Sequence, residues 1–153
     1  MSTMKLILYG LAATLMFVQP SMADDTPLAE QMDAMNDAYK AMRRETDPAK
    51  GAALARTAQD AMVKSIVELP EMVKAMPEGP EKAKASASYR KMMGNLIATL
   101  ADMELAFLNN DMAKVKEIVE SMRDLKKEGH DKFMDEDECS SRVTSDCHQI
   151  PYS

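Results

Sequence analysis

The sequence predicts an all-α protein, an up-down-up-down antiparallel four-helix bundle. Three observations carry that expectation. The 153-residue chain holds 16 methionines, no tryptophan and only 5% aromatic residues, a composition that suits helices rather than a β-sandwich or barrel. Four segments carry helical periodicity, with apolar residues mostly three or four positions apart, the period of a helix face turned toward a bundle core. The connections between these segments run short, long, short, and short helix–helix links force antiparallel neighbours.

Residues 1–23 stand before the bundle. They carry one positive charge at Lys5, an apolar run from Leu6 to Val18, the breaker Pro20 and the small-x-small pattern Ser21-Met22-Ala23. This reads as a cleaved secretory signal peptide, because a run of about thirteen residues is too short to cross a bilayer. Cleavage would leave about 130 residues without a membrane span, and export would lead to the periplasm of a Gram-negative cell. That length supports one domain with a single core.

The bundle domain is expected over 24–138. In the first helix Thr26 serves as N-cap and Pro27 opens the first turn. Leu28, Met32, Met35, Tyr39 and Met42 form its inward stripe. "TDP" (Thr46 to Pro48) closes this helix and opens the second, with Asp47 as N-cap. The second stripe is Leu54, Ala58, Met62, Ile66 and Leu69, and Pro70 ends it. "ELPEMVKAMPEGPEK" is the long connection, with a helical turn expected around Met72 to Met76. The third helix runs from about Glu81 to Leu108 on the stripe Tyr89, Met93, Leu96, Leu100, Met103 and Phe107. "NND" (Asn109 to Asp111) breaks the chain tightly, and Asp111 caps a fourth helix whose stripe is Val115, Val119, Met122, Leu125 and Phe133.

Past Glu138 the pattern stops, and 139–153 reads as a polar tail. It contains both cysteines, Cys139 and Cys147, which in an oxidising compartment default to a local disulfide. "TSDCH" has only the second half of the C-x-x-C-H haem-attachment motif, so covalent haem is not expected there.

The formal charge is −6, and −7 once Lys5 leaves with the leader. An acidic surface is unsuited to nucleic acid or anionic lipid, which need clustered Lys and Arg, and it favours basic partners. No Ser/His/Asp arrangement, nucleotide-binding glycine loop or His-rich motif is present, so no enzyme is expected. Di-iron bundles need E-x-x-H on two helices, and here Lys127 stands three residues before His130.

What remains is the pairing of His130 with one methionine. In the predicted topology the first helix starts where the fourth finishes, and the two lie side by side. Met32 is roughly 7.5 Å along the axis from Pro27, at 1.5 Å per residue. His130 stands a similar distance from the end of the fourth helix, about 60° round from Phe133 on the border of the apolar face. An imidazole and a thioether meeting at one level suit axial ligation of haem iron, and methionines supply a polarizable lining. The alternative is a Met-rich helical module that binds Cu(I) or a protein partner without haem.

"LAEQMDAMNDAYK" (Leu28 to Lys40) resembles the first helix of the soluble cytochrome b562 family, in a run whose methionine is an axial haem ligand. "VESMRDLKKEGHDKF" (Val119 to Phe133) resembles the family's last helix, in which a His near the end is the other ligand. "KVKE" (Lys114 to Glu117) and "YRKMMGNLIATLADMELAF" (Tyr89 to Phe107) follow the family more loosely. The similarity covers roughly 24–135. It implies a monomeric periplasmic electron-transfer protein with one non-covalent haem b, held by Met32 and His130, and redox proteins as its partners. Met35, in the same run as Met32, belongs to the implied cofactor-binding residues. Tyr89 and Met93 stand where familiar members present two phenylalanines. The residue before the ligand His is often aromatic in the family; here it is Gly129, and its missing side chain leaves a gap on the haem side.

Overall fold

Proline and a capping side chain together mark where two of the long helices begin. In the computed structural model, which describes residues 26–134, α1 spans Pro27–Met42 and α2 spans Pro48–Ser65. Thr26 Oγ1 accepts the Ala29 N–H at 3.1 Å and Asp47 Oδ1 accepts the Lys50 N–H at 2.9 Å. Each satisfies one of the donors that a helix start leaves orphaned. A single turn, α3 (Glu71–Lys74), lies inside the long connection where the sequence suggests one. α4 (Pro80–Leu108) opens on Pro80 after Gly79, whose φ of 155° falls in a region that glycine alone enters readily.

The turn into α5 (Met112–Phe133) is built from both sides. Asn110 adopts a left-handed φ of 54°, while the Asn110 and Asp111 N–H groups donate back to the Phe107 and Ala106 carbonyls at 2.9 Å. This is the Schellman arrangement with Asn in place of the usual glycine. Asp111 then caps α5 through the Lys114 N–H at 2.9 Å.

α1 packs on α2, α2 on α4 and α4 on α5, giving the four-helix bundle with α3 resting on α4. Among the described residues there is no strand. α2 buries Gly51, Ala52, Ala55, Ala58, Ala61 and Ser65, and side chains this small let its backbone approach both neighbours closely. The tightest point is Gly51, where an added Cβ would overlap the Phe107 ring. α1 and α5 approach each other far less closely than the other neighbouring pairs. They are linked instead by side chains: the Tyr39 hydroxyl donates to the Val119 carbonyl at 3.1 Å, and Lys126 Nζ reaches Asn36 Oδ1 at 3.4 Å.

The second helix ends earlier than its apolar stripe suggests. It stops at Ser65, leaving Ile66 as its C-cap and Leu69 outside it, although both side chains still pack against the core. The cause lies across the bundle. The Ser65 carbonyl accepts the Tyr89 hydroxyl at 3.1 Å and the Glu68 N–H at 3.0 Å, a tight turn in place of a further helical one. Leu69 is also biased toward extended backbone because it precedes Pro70.

The leader at 1–23 and the tail with Cys139 and Cys147 lie outside the described residues.

Candidate cofactor site

Side chains from the start of α1 and the end of α5 face a shared space at one end of the bundle. A cavity of about 180 Å³ opens there. α1 contributes Leu28, Met32, Met35 and Tyr39, α4 contributes Tyr89, Met92, Met93 and Leu96, and α5 contributes Met122, Leu125, Gly129, His130 and Phe133. Met32 and His130 are both half-buried and line it from facing helices. Met35 is half-buried above Met32, whereas Tyr89 and Met93 are fully buried in its floor. The five residues singled out from sequence therefore border one space.

Several wall residues escape a reading of the sequence. Met122 and Phe133 belong to the recognised stripe of α5, and only the fold turns that stripe into a cavity wall. Met92 fits the helical spacing between Tyr89 and Leu96 as well as its neighbour Met93 does, so periodicity alone does not separate the two. Gly129 does not leave the gap expected of it. A Cβ there would sit 3.2 Å from Met92 Cε and 3.4 Å from Met92 Sδ, so the Met92 side chain already takes up that space.

The aromatic floor is held rigidly. The Tyr89 and Phe133 rings meet edge to face with centroids 5.5 Å apart and planes at 80°, a geometry worth about 0.5–1.5 kcal/mol beyond area burial. Burial, with a smaller contribution from the Glu68 charge, pushes the Tyr89 phenol up to about 12. Its proton therefore stays in place at neutral pH, donated to Ser65. Besides Tyr39, Tyr89 and His130, the polar residues that border the cavity are Thr26, Asp33, Asn36, Glu71 and Lys126.

The donor chemistry of this site is narrow. It offers one imidazole and six thioethers, those of Met32, Met35, Met92, Met93, Met122 and Met134. Among the described residues no group of three or more His, Cys, Asp or Glu converges elsewhere. Soft sulfur and borderline nitrogen suit iron in a haem macrocycle, and an apolar cleft between two spread helices suits the macrocycle's faces. The residues present fit that group.

Fold and site together define a four-helix bundle with an apolar cleft between its first and last helices, and cytochromes occur among bundles of up-down-up-down topology. The family model for cytochrome b562 matches residues 27–134, and the chain belongs to that family. It is a family of haem-binding electron-transfer cytochromes whose cofactor is haem b. No curated protein and no solved structure matches the chain. No helix among the described residues is long and apolar enough to cross a membrane.

Proposed function

We propose that this protein is an exported, periplasmic electron carrier that holds one haem b non-covalently, with Met32 and His130 as the axial ligands. One observation supports this most strongly. Met32 on α1 and His130 on α5 border the same apolar cavity, between the two helices that pack least closely. When bound, haem with one imidazole and one thioether supplies a six-coordinate iron of raised reduction potential that exchanges single electrons.

The chain's own residues then have distinct tasks. His130, at a border position on α5, turns one ring edge toward the cleft. Met32 enters from α1, steadied by the cap at Thr26 one turn and a half earlier. Tyr89, Met93 and Phe133 fill the floor and exclude water, and Met35 extends the apolar wall along α1. The Tyr39–Val119 hydrogen bond sets how far α1 and α5 can spread below the cofactor. No residue needs to act on a substrate, so the protein is a carrier and not an enzyme. Its formal charge, −6 for the full chain and −7 once Lys5 leaves with the leader, favours a redox partner with a basic docking face, met by a monomer.

Reconstitution of the purified protein with haemin tests the reading. A stoichiometric Soret band, with sharp low-spin bands on reduction, is expected. Met32→Ala should keep the haem but change its spin state and lower its potential. His130→Ala should weaken binding by at least about tenfold, equivalent to ~1.4 kcal/mol. Absence of a Soret band in the wild type sinks the proposal, and a parallel Cu(I) titration would reveal a soft-metal module in its place.

A further inference from the structure

The apolar stripe of α5 descends through Met122, Leu125, Gly129 and Phe133, at spacings of three, four and four. Gly129 is the one position in that stripe with no side chain, and it adjoins His130. Glycine there is unfavourable for the helix itself by about 1 kcal/mol relative to alanine. The space above it is nonetheless occupied. Met92 reaches over from α4, and its methyl and sulfur lie 3.2 and 3.4 Å from where a Cβ at 129 would be. The first of these distances is too short for comfortable carbon–carbon contact, so alanine would press on the end of Met92. Met92 also lines the cavity, and any displacement moves the wall beside the imidazole.

The geometry points to Met92 as a positioning residue for the cofactor. Seated on the bare backbone of Gly129, its thioether forms the α4-side wall of the cleft next to His130 and replaces the side chain that α5 lacks. Gly129 and Met92 are a matched pair, one supplying the space and the other the filling. A thioether is unbranched and polarizable and adapts to an irregular surface, so it can close against a flat macrocycle and keep water from the His side. Water access bears on both retention of the cofactor and its reduction potential. This inference rests on the haem-binding reading above.

The test uses the full protein and its Met92→Ala, Met92→Leu, Gly129→Ala and doubly substituted forms, each loaded with haemin. Three quantities are measured: haem transfer to an excess of a haem-scavenging protein, the reduction potential, and the urea midpoint of the haem-free chain. Met92→Ala is expected to speed haem loss about tenfold and to lower the potential, as water reaches the His side. Met92→Leu, which retains the volume, should restore most of the retention. Gly129→Ala should leave the haem-free chain as stable or more so, yet still shift the potential. In the Met92→Ala background that shift should largely vanish, because the partner of the collision is gone.

If Met92→Ala lowers only the urea midpoint and leaves haem loss and potential unchanged, Met92 is ordinary packing and the inference is overturned while haem binding stands. Equal effects of Gly129→Ala with and without Met92 would overturn the pairing. Failure of the wild type itself to take up haemin would overturn the functional reading and this inference with it.

Discussion

Tyr89 shows how a single residue can serve the helix ends and the site at once. Its hydroxyl donates to the Ser65 carbonyl at 3.1 Å, a group that the end of α2 leaves without a helical partner, and its ring stands edge-on to Phe133 in the cavity floor. Removal of the hydroxyl in Tyr89→Phe should cost about 1 kcal/mol at neutral pH. The pH dependence has a definite sign. The native phenol titrates at about 12 and the unfolded one near 10. The stabilisation is therefore complete below about pH 10 and is lost as pH climbs through 12. Urea unfolding between pH 9 and 12 should show this decline in the wild type and its absence in Tyr89→Phe. A parallel decline in both proteins would place the alkaline sensitivity elsewhere. His130 and Met32, by contrast, are only half-buried, as befits residues that border an opening and not a packed core.

At the scale of the elements, the four long helices are not equivalent. α2 buries mostly small residues, with Met62 and Gln59 as the larger exceptions, and it packs closely on α1 and α4. α1 lines the cleft with Met32 and Met35 and α5 with Met122, Leu125 and Phe133, and the two helices stay apart. The bundle is thus closed around α2 and open between α1 and α5, which places the cleft on the opposite side. Gly51 is the sharpest expression of the closed side. Alanine there would gain about 1 kcal/mol of helix propensity, yet its methyl would overlap the Phe107 ring. Overpacking of this kind typically costs 1–3 kcal/mol, so Gly51→Ala should destabilise despite the gain. Thermal unfolding of the haem-free chain checks this, and a raised melting temperature would show that Phe107 moves aside freely.

Across the whole molecule, α2 and α4 are also tied by a partly sheltered polar cluster. Glu104 accepts from Gln59 Nε2 at 2.7 Å and from Arg56 at 2.8 Å, while Gln59 also reaches the Leu100 carbonyl at 3.3 Å. The Gln59 hydrogen bond holds the Glu104 carboxyl below its usual range against the opposing effect of burial, with the Arg56 hydrogen bond and charge each adding a smaller lowering. A lowered native pKa means stabilisation that is complete above the unfolded value of about 4.3 and lost as pH falls through the native one. Glu104→Gln should therefore cost ~1 kcal/mol at pH 7. The gap from wild type should narrow on acidification toward pH 3, as read from urea midpoints. An unchanged gap would mean that Glu104 acts by packing and not by charge. Global stability should also rise when haem is added, by the amount its affinity and concentration dictate.

Much of the fold was legible in the chain because helix starts and stops are decided within one turn. Thr26-Pro27, Asp47-Pro48 and Asp111 satisfy backbone donors three residues away, so their effect can be read without knowing the partners of the helix. The stripes of four and three likewise depend only on helical period, and with short links they place α1 and α5 together at one end. This is why Met32 and His130 could be paired before any contact was known. The end of α2 was not legible, since it depends on a tyrosine 24 positions along the chain. Nor was the place of Met92, which shares its helical spacing with Met93 and stands out only because Gly129 faces it from another helix. Which segments are helical, and which side of each is apolar, can be read along the chain. That α1 and α5 stay apart, with Met92 seated against Gly129, follows from side-chain volumes that meet across helices and are brought together only by folding.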